Sequence, residues 1–280
     1  MDNYQLTQDQ ITAYGVCLRT EEHTPSTIEK YLRDTRAFAV WLEGRPVTRE
    51  LAAEWRDRLL SSGHKPSTVN SMLAAVNGLF RFLGWGIRVK FLKVQRRLFR
   101  DQSRELTRGE YDLLVNTARA AGKERLALLM EAVCATGVRV SEVKYLTVEA
   151  AQCGRAEIAL KGKIRMILLP NKLCRKLLKY ARKQKIASGE IFLTRSGRSL
   201  SRRQIWAEMK RLCKAAGVAP SKVFPHNLRH LFARTFYKVC RDVVKLADVL
   251  GHSSIETTRI YLISTGAEHA GILRKMRLIQ

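Results

Sequence analysis

The stretch L-G-H-S-S-I-E-T-T-R-I-Y, Leu250 to Tyr261, sets a histidine and a tyrosine nine residues apart. Gly251 reads as a helix stop, and Ser253 followed by Glu256 reads as a capping box that opens the next helix. In that helix Ser254, Thr257, Thr258 and Tyr261 share one face at helical spacing. Such a row of hydroxyls predicts an exposed phenol, with His252 emerging at the tip of a helix that buries Val243, Leu246, Ala247 and Leu250. A tyrosine that merely caps a core edge is the plainer alternative. A phenol has a pKa of about 10 and attacks only where cations surround it.

Three other chain breaks offer such groups. In F-P-H-N-L-R-H, Pro225 presets a helix start, and His226 and Arg229 lie three apart on one face. Leu228, Leu231, Phe232 and Thr235 form the expected buried stripe. Free N–H groups and the dipole at a helix start reinforce the two side chains as an anion site. In T-G-V-R-V-S-E-V, Gly137 ends one helix and Ser141 opens another, leaving Arg139 in the corner within reach of Glu142. An ordinary surface Arg–Glu pair, worth little, gives the same pattern. In K-G-K, Lys161 and Lys163 point to one side if the strands extend through the turn, although any polar hairpin turn shares that composition.

Together these groups suit a phosphodiester. Two arginines can clamp the non-bridging oxygens and stabilise charge that builds in a pentavalent transition state. A lysine or histidine then protonates the departing 5′ oxygen. No Asp/Glu cluster has metal-ligand spacing, and there is neither a Walker loop nor G-x-G-x-x-G. No cofactor and no metal are expected, because a phosphotyrosine keeps the energy of the broken link for rejoining.

Composition agrees. The 280 residues carry 51 Lys and Arg against 25 Asp and Glu, a formal charge of +26. That surplus is spread along the chain and opposes compaction, which points to a nucleic-acid-binding body. With 46% apolar residues there is ample material for a core. The six cysteines lack any C-x-x-C pair and read as reduced thiols. The polar N-terminus carries no signal peptide and no apolar run is long enough to span a membrane, so a cytoplasmic, nucleoid-associated protein is expected, with no membrane partner.

The positioning elements are mainly α, with one small β-hairpin. Residues 1–87 read as a four-helix domain: helices near Thr7–Leu18 and Thr48–Ser61, and two longer ones that start at Thr24 and Lys65 with the same Pro-Ser-Thr sequence. Residues 88–104 hold seven Lys or Arg with little periodicity and read as a basic linker that touches phosphate. Residues 105–280 read as a mixed domain, with helices at Thr107–Ala121 and Lys123–Ala135 and a hairpin of Ala156–Leu160 with Ile164–Leu169. Helices follow at Asn171–Lys185, Ser201–Ala216, His226–Val239, Val243–Leu250, Ser254–Leu262 and Glu268–Met276.

A T-G-x-R-x-S-E turn, a hairpin lysine, H-x-L-R-H, L-G-H and a tyrosine nine residues on, in that order, resemble the tyrosine recombinase/integrase family over nearly the entire chain. The resemblance implies a SAM-like core-binding domain and a mixed α/β catalytic domain that close as a C-shaped clamp around DNA. It implies that Tyr261 forms a 3′-phosphotyrosyl link and frees a 5′ hydroxyl. Arg139 and Arg229 would bind the scissile phosphate, His226 and His252 would assist in proton transfer and hydrogen bonding, and Glu142 would support Arg139, with His230 as a further supporting residue. Lys161 aligns with the general acid. The hairpin K-G-K-I-R is about one residue shorter than the family's K-G-x-K-x-R, so Lys163 is the alternative.

Lys30, Arg33, Arg36 and Lys65, with Lys90, Lys93, Arg96, Arg97 and Arg100 of the linker, are the expected DNA contacts. The partner implied is double-stranded DNA with paired inverted recombination half-sites. Four protomers would exchange strands through a Holliday junction, with room for an accessory DNA-bending protein. A docking helix at 268–280, with Ile272, Leu273 and Met276 on its apolar face, would exchange in trans or fold back in cis. The short N-terminal region makes the chain resemble compact Xer-like or transposon-type members. Integration/excision, inversion and dimer resolution stay open as roles. A type IB topoisomerase, a catalytically silent DNA-binding regulator and an RNA-associated protein are the rival readings.

Overall fold

The computed structural model describes residues 4–94, 102–160, 163–261, 271 and 274–276, and the chain divides into two units, Met1–Arg96 and Arg97–Gln280. The first unit is four helices: α1 (Gln8–Thr20), α2 (Pro25–Leu42), α3 (Arg49–Ser61) and α4 (Pro66–Phe82). Their starts are local. Thr7 and Gln10 form a capping box, the Thr48 side chain accepts from the Leu51 amide, and Pro25 and Pro66 stand in the first turns of α2 and α4. Phe38 packs edge-on against Trp55 and Phe80 at 5.0 and 5.7 Å, and all three are buried.

The second unit is built on α6 (Glu124–Thr136), in which every residue from Leu126 to Met130 is buried, a helix apolar nearly all round. Around it stand α5 (Arg108–Ala120), α7 (Val148–Cys153), α8 (Asn171–Lys183), α9 (Arg202–Lys210), α10 (Cys213–Ala216), α11 (Pro225–Cys240), α12 (Val243–Leu250) and α13 (Ile255–Arg259). β1 (Arg155–Leu160) and β2 (Lys163–Leu168) pair antiparallel from Arg155↔Leu168 to Leu160↔Lys163. Ala156, Ile158 and Ile167 face the core, as alternation requires.

Several expectations are corrected. Ser201–Ala216 is two helices because the chain turns at Arg211 and Leu212, and α7, opened by a Thr147 cap, was not foreseen. Thr235 is exposed and Ala233 is buried in its place. Arg139 opens a 3₁₀ turn, Val140–Tyr145, where a helix from Ser141 was expected. Ser254, and not Ser253, caps α13. The linker expected to begin at Arg88 starts later: Ile87 and Val89 are buried with the bundle core, and Asn77 and Asn70 of α4 hydrogen-bond Val89 and Leu92. Residues 95–101, with Arg96, Arg97 and Arg100, lie outside the described residues, as does Lys161. Of the segment 268–280, only 271 and 274–276 are described, and these are helical.

Candidate active site

Three arginines from three segments meet at one helix end. The last carbonyls of any α-helix lack intrahelical partners and carry the negative end of its dipole. At the end of α12, Arg165 donates to the Val249 carbonyl at 3.1 Å, Arg229 to that of Leu250 at 2.8 Å and Arg139 to that of Gly251 at 3.3 Å. Arg229 also donates to the carbonyl of Gly137, the residue that caps α6. Gly137 and Gly251 adopt φ of 66° and 62°, which favours glycine. A Cβ at Gly251 would lie 2.3 Å from Arg165 Cδ, and one at Gly137 2.4 Å from the Phe232 ring.

Glu142 is the counter-charge. It is 1% exposed and accepts from the Arg139 amide at 2.7 Å, from Arg139 Nη1 at 2.8 Å and from Arg165 Nη2. Burial alone would raise its pKa, but the bonds from Arg139 and the charge of Arg165 hold it below the usual carboxylate range. The solvated surface-pair reading of Arg139–Glu142 is thereby excluded. Arg165 is a member to which spacing alone assigns no role. It reaches the site from β2, and burial lowers its pKa against the opposing pull of Glu142. The only signal for it was the R of K-G-K-I-R, a residue type too common to single out unaided.

Arg229 is 1% exposed, and its Nη2 lies 2.9 Å from His252 Nε2. A guanidinium only donates, so Nε2 accepts and Nδ1 carries the proton, which it gives to Thr258 Oγ1 at 2.7 Å. Burial and the arginines push the His252 pKa down to about 4. His230 goes lower, to about 3, through burial and the neighbouring His226. His226 is also lowered, by burial and then by Arg229. All three imidazoles are therefore biased to the neutral form.

The phenol is not where the hydroxyl row placed it. Tyr261 is 4% exposed and packs with Ala233, Leu246 and Leu250. Its ring meets His230 edge-on at 4.5 Å and stacks on His252 at 5.9 Å, and its side chain interacts with the Arg229 guanidinium. The row failed because its members differ: Ser254 caps, Thr257 is exposed, and Thr258 is buried to hold His252. Arg139, Arg229 and His226 line a cavity of about 860 Å³, whose other wall includes Arg202, Arg203 and the half-exposed Trp206 of α9, none of them foreseen.

The expected DNA contacts of the bundle differ among themselves. Lys30 and Arg33 both engage the buried Asp34, at 2.7 and 3.0 Å, whereas Arg36 and Lys65 are exposed. Lys90 and Lys93 are also exposed, on the segment that follows α4.

The phage integrase family profile matches residues 104–268, and the N-terminal SAM-like domain of phage integrases matches residues 11–86. The tyrosine recombinase XerC of Roseiflexus castenholzii is 31% identical over 90% of this chain and 88% of its own length. The XerA of Thermococcus kodakarensis is 28% identical over 96% of each chain. A lambda integrase tetramer bound to a Holliday junction shares the fold at TM-score 0.73 and 19% identity, over 93% of this chain and 78% of that one. The Tn1549 transposon integrase in complex with circular intermediate DNA shares it at TM-score 0.72 and 18% identity, over 96% and 99%. With matches over both units and most of its length, the chain belongs to the phage integrase family and is a tyrosine-type site-specific recombinase.

Proposed function

We propose that this recombinase cleaves and rejoins duplex DNA through a 3′-phosphotyrosyl link to Tyr261. The observation that carries the reading is the charge balance beside the phenol: three guanidinium groups meet at the end of α12, only one carboxylate, Glu142, pairs with two of them, Arg139 and Arg165, and an excess of two positive charges is left among these four groups. A phosphodiester gains negative charge as it becomes pentavalent, so fixed cations serve the transition state more than the ground state. Arg139 and Arg229 hold the non-bridging oxygens and His226 completes the cavity wall. Lys161 or Lys163 protonates the leaving 5′ oxygen. Because Tyr261 is 4% exposed, cleavage includes a shift of the five-residue α13 that brings the phenolic oxygen to the phosphorus. The partner is double-stranded DNA with paired inverted half-sites, bound by several copies of the chain, four at the stage of a Holliday junction. The segment 268–280 links neighbouring copies, and an accessory DNA-bending protein can join them.

The test is incubation with the DNA flanking the protein's own gene, followed by denaturing gels that reveal a covalent adduct and map it. Tyr261→Phe should bind this DNA and form no adduct. An undiminished adduct in that variant would overturn the nucleophile assignment. Strand exchange between two mapped sites separates recombination from simple nicking and resealing.

A further inference from the structure

Two asparagines of α4 hold the chain that leaves the bundle. Asn77 donates to the Val89 carbonyl and accepts from the Val89 amide, both at 2.9 Å. Asn70 does the same with Leu92, at 2.9 and 2.8 Å. Each carboxamide thus satisfies both backbone groups of one residue, the way a neighbouring strand would. Asn70 and Asn77 are two helical turns apart, about 10.5 Å along the axis. Three residues, from Val89 to Leu92, reach that far only when almost fully extended, at about 3.3–3.6 Å each. The segment therefore runs antiparallel to α4, stretched between two fixed points. The side chains of Ile87 and Val89 are buried in the bundle core, and Arg88, Lys90, Phe91 and Lys93 are exposed.

We infer that Arg88–Lys93 is a preorganised DNA contact whose register is set by Asn70 and Asn77 as positioning residues. This rests on the recombinase reading for its partner, the duplex. Lys90 and Phe91 are the two residues held between the clamps, an exposed cation followed in sequence by a ring that is 46% exposed. That pairing suits a sugar–phosphate backbone: the ammonium neutralises a phosphate while the ring covers the apolar face of a deoxyribose. A free linker would have to be ordered on binding; here the ordering is complete once the bundle folds. Neither aspartate nor alanine can replace these asparagines, since a carboxylate offers no donor to the carbonyl and an alanine offers neither group.

Amide hydrogen exchange in the full-length free protein tests the clamp. Val89 and Leu92 should exchange slowly, Lys90 and Phe91 fast, and the contrast should vanish in Asn70→Ala/Asn77→Ala. Binding to a mixed-sequence duplex over a range of salt tests the contact. Lys90→Ala should lower the slope of log K against log salt by about 0.9. Phe91→Ala should weaken binding at constant slope, and the double asparagine variant should weaken it by about tenfold or more. Equal exchange at Val89 and Lys90 would refute the clamp, and an unchanged slope in Lys90→Ala would refute the contact. Should the double variant fail to fold, wild-type exchange and the two exposed variants still decide. Neither measurement depends on Tyr261, so a missing adduct would sink the phosphotyrosyl assignment, whereas exchange and salt dependence decide the clamp and the contact separately.

Discussion

The bundle and the catalytic unit are ordered by different means. In the bundle, helix starts carry local devices, and the core is aromatic and aliphatic, with Phe38, Trp55 and Phe80 at its centre. In the catalytic unit the decisive contacts are polar and far apart in sequence: Arg229 to Gly137, Arg139 to Gly251, Arg165 to Val249. The lesson concerns helix ends. In the bundle they are stops; in the second unit the end of α12 is a collection point for cations, because three successive carbonyls there point at three guanidinium groups.

The largest break in this contrast should come from Glu142→Gln. Removing this buried carboxylate leaves Arg139 and Arg165 without their shared counter-charge, at a cost of about 3–5 kcal/mol. Urea melts should show this loss in the catalytic unit, while fluorescence from Trp41, Trp55 and Trp85, read in a Trp206→Phe background, reports an unchanged bundle. An equal shift in both signals would erase the difference between the units. Next is Arg139→Ala, which should lower the rate of adduct formation by about 10²–10³ while most DNA affinity remains. A parallel fall in affinity would make Arg139 a binding group only.

A smaller effect follows from His230 and His252, with pKa values of about 3 and about 4 against an ordinary 6.5. Below pH 6.5 the unfolded chain takes up protons that the fold refuses. Stability should therefore fall as pH drops from about 6.5 to about 4, and His230→Gln should flatten that dependence. A wild-type curve without slope in this window would show the imidazoles to be freely protonated. The smallest effect belongs to the bundle. Arg36→Ala should reduce the salt dependence of DNA binding by about 0.9 in slope and leave cleavage of bound DNA unchanged.

Helix positions were legible because their causes are near in sequence, from Pro25 and Pro66 to the αL glycines Gly137 and Gly251. That Arg139, Glu142 and Arg229 would be brought together was legible as a set of residue types at chain breaks. Arg165, Arg202, Arg203 and Trp206 were not, since nothing local distinguishes them from solvated arginines and a surface indole. The hydroxyl row misled for a related reason: spacing says which residues share a face but not whether that face meets water or another helix.

The chain's order of residues determined its helices, its β-hairpin, its surplus of positive charge and the inventory of reactive groups, all consequences of short-range backbone preference and composition. Tertiary packing alone decided that Tyr261 lies buried against His230 and His252, that Glu142 is shared between two arginines, and that the linker's first residues belong to the bundle. Those outcomes depend on which helix end or amide meets a given side chain, and such meetings are made across distances that spacing does not encode.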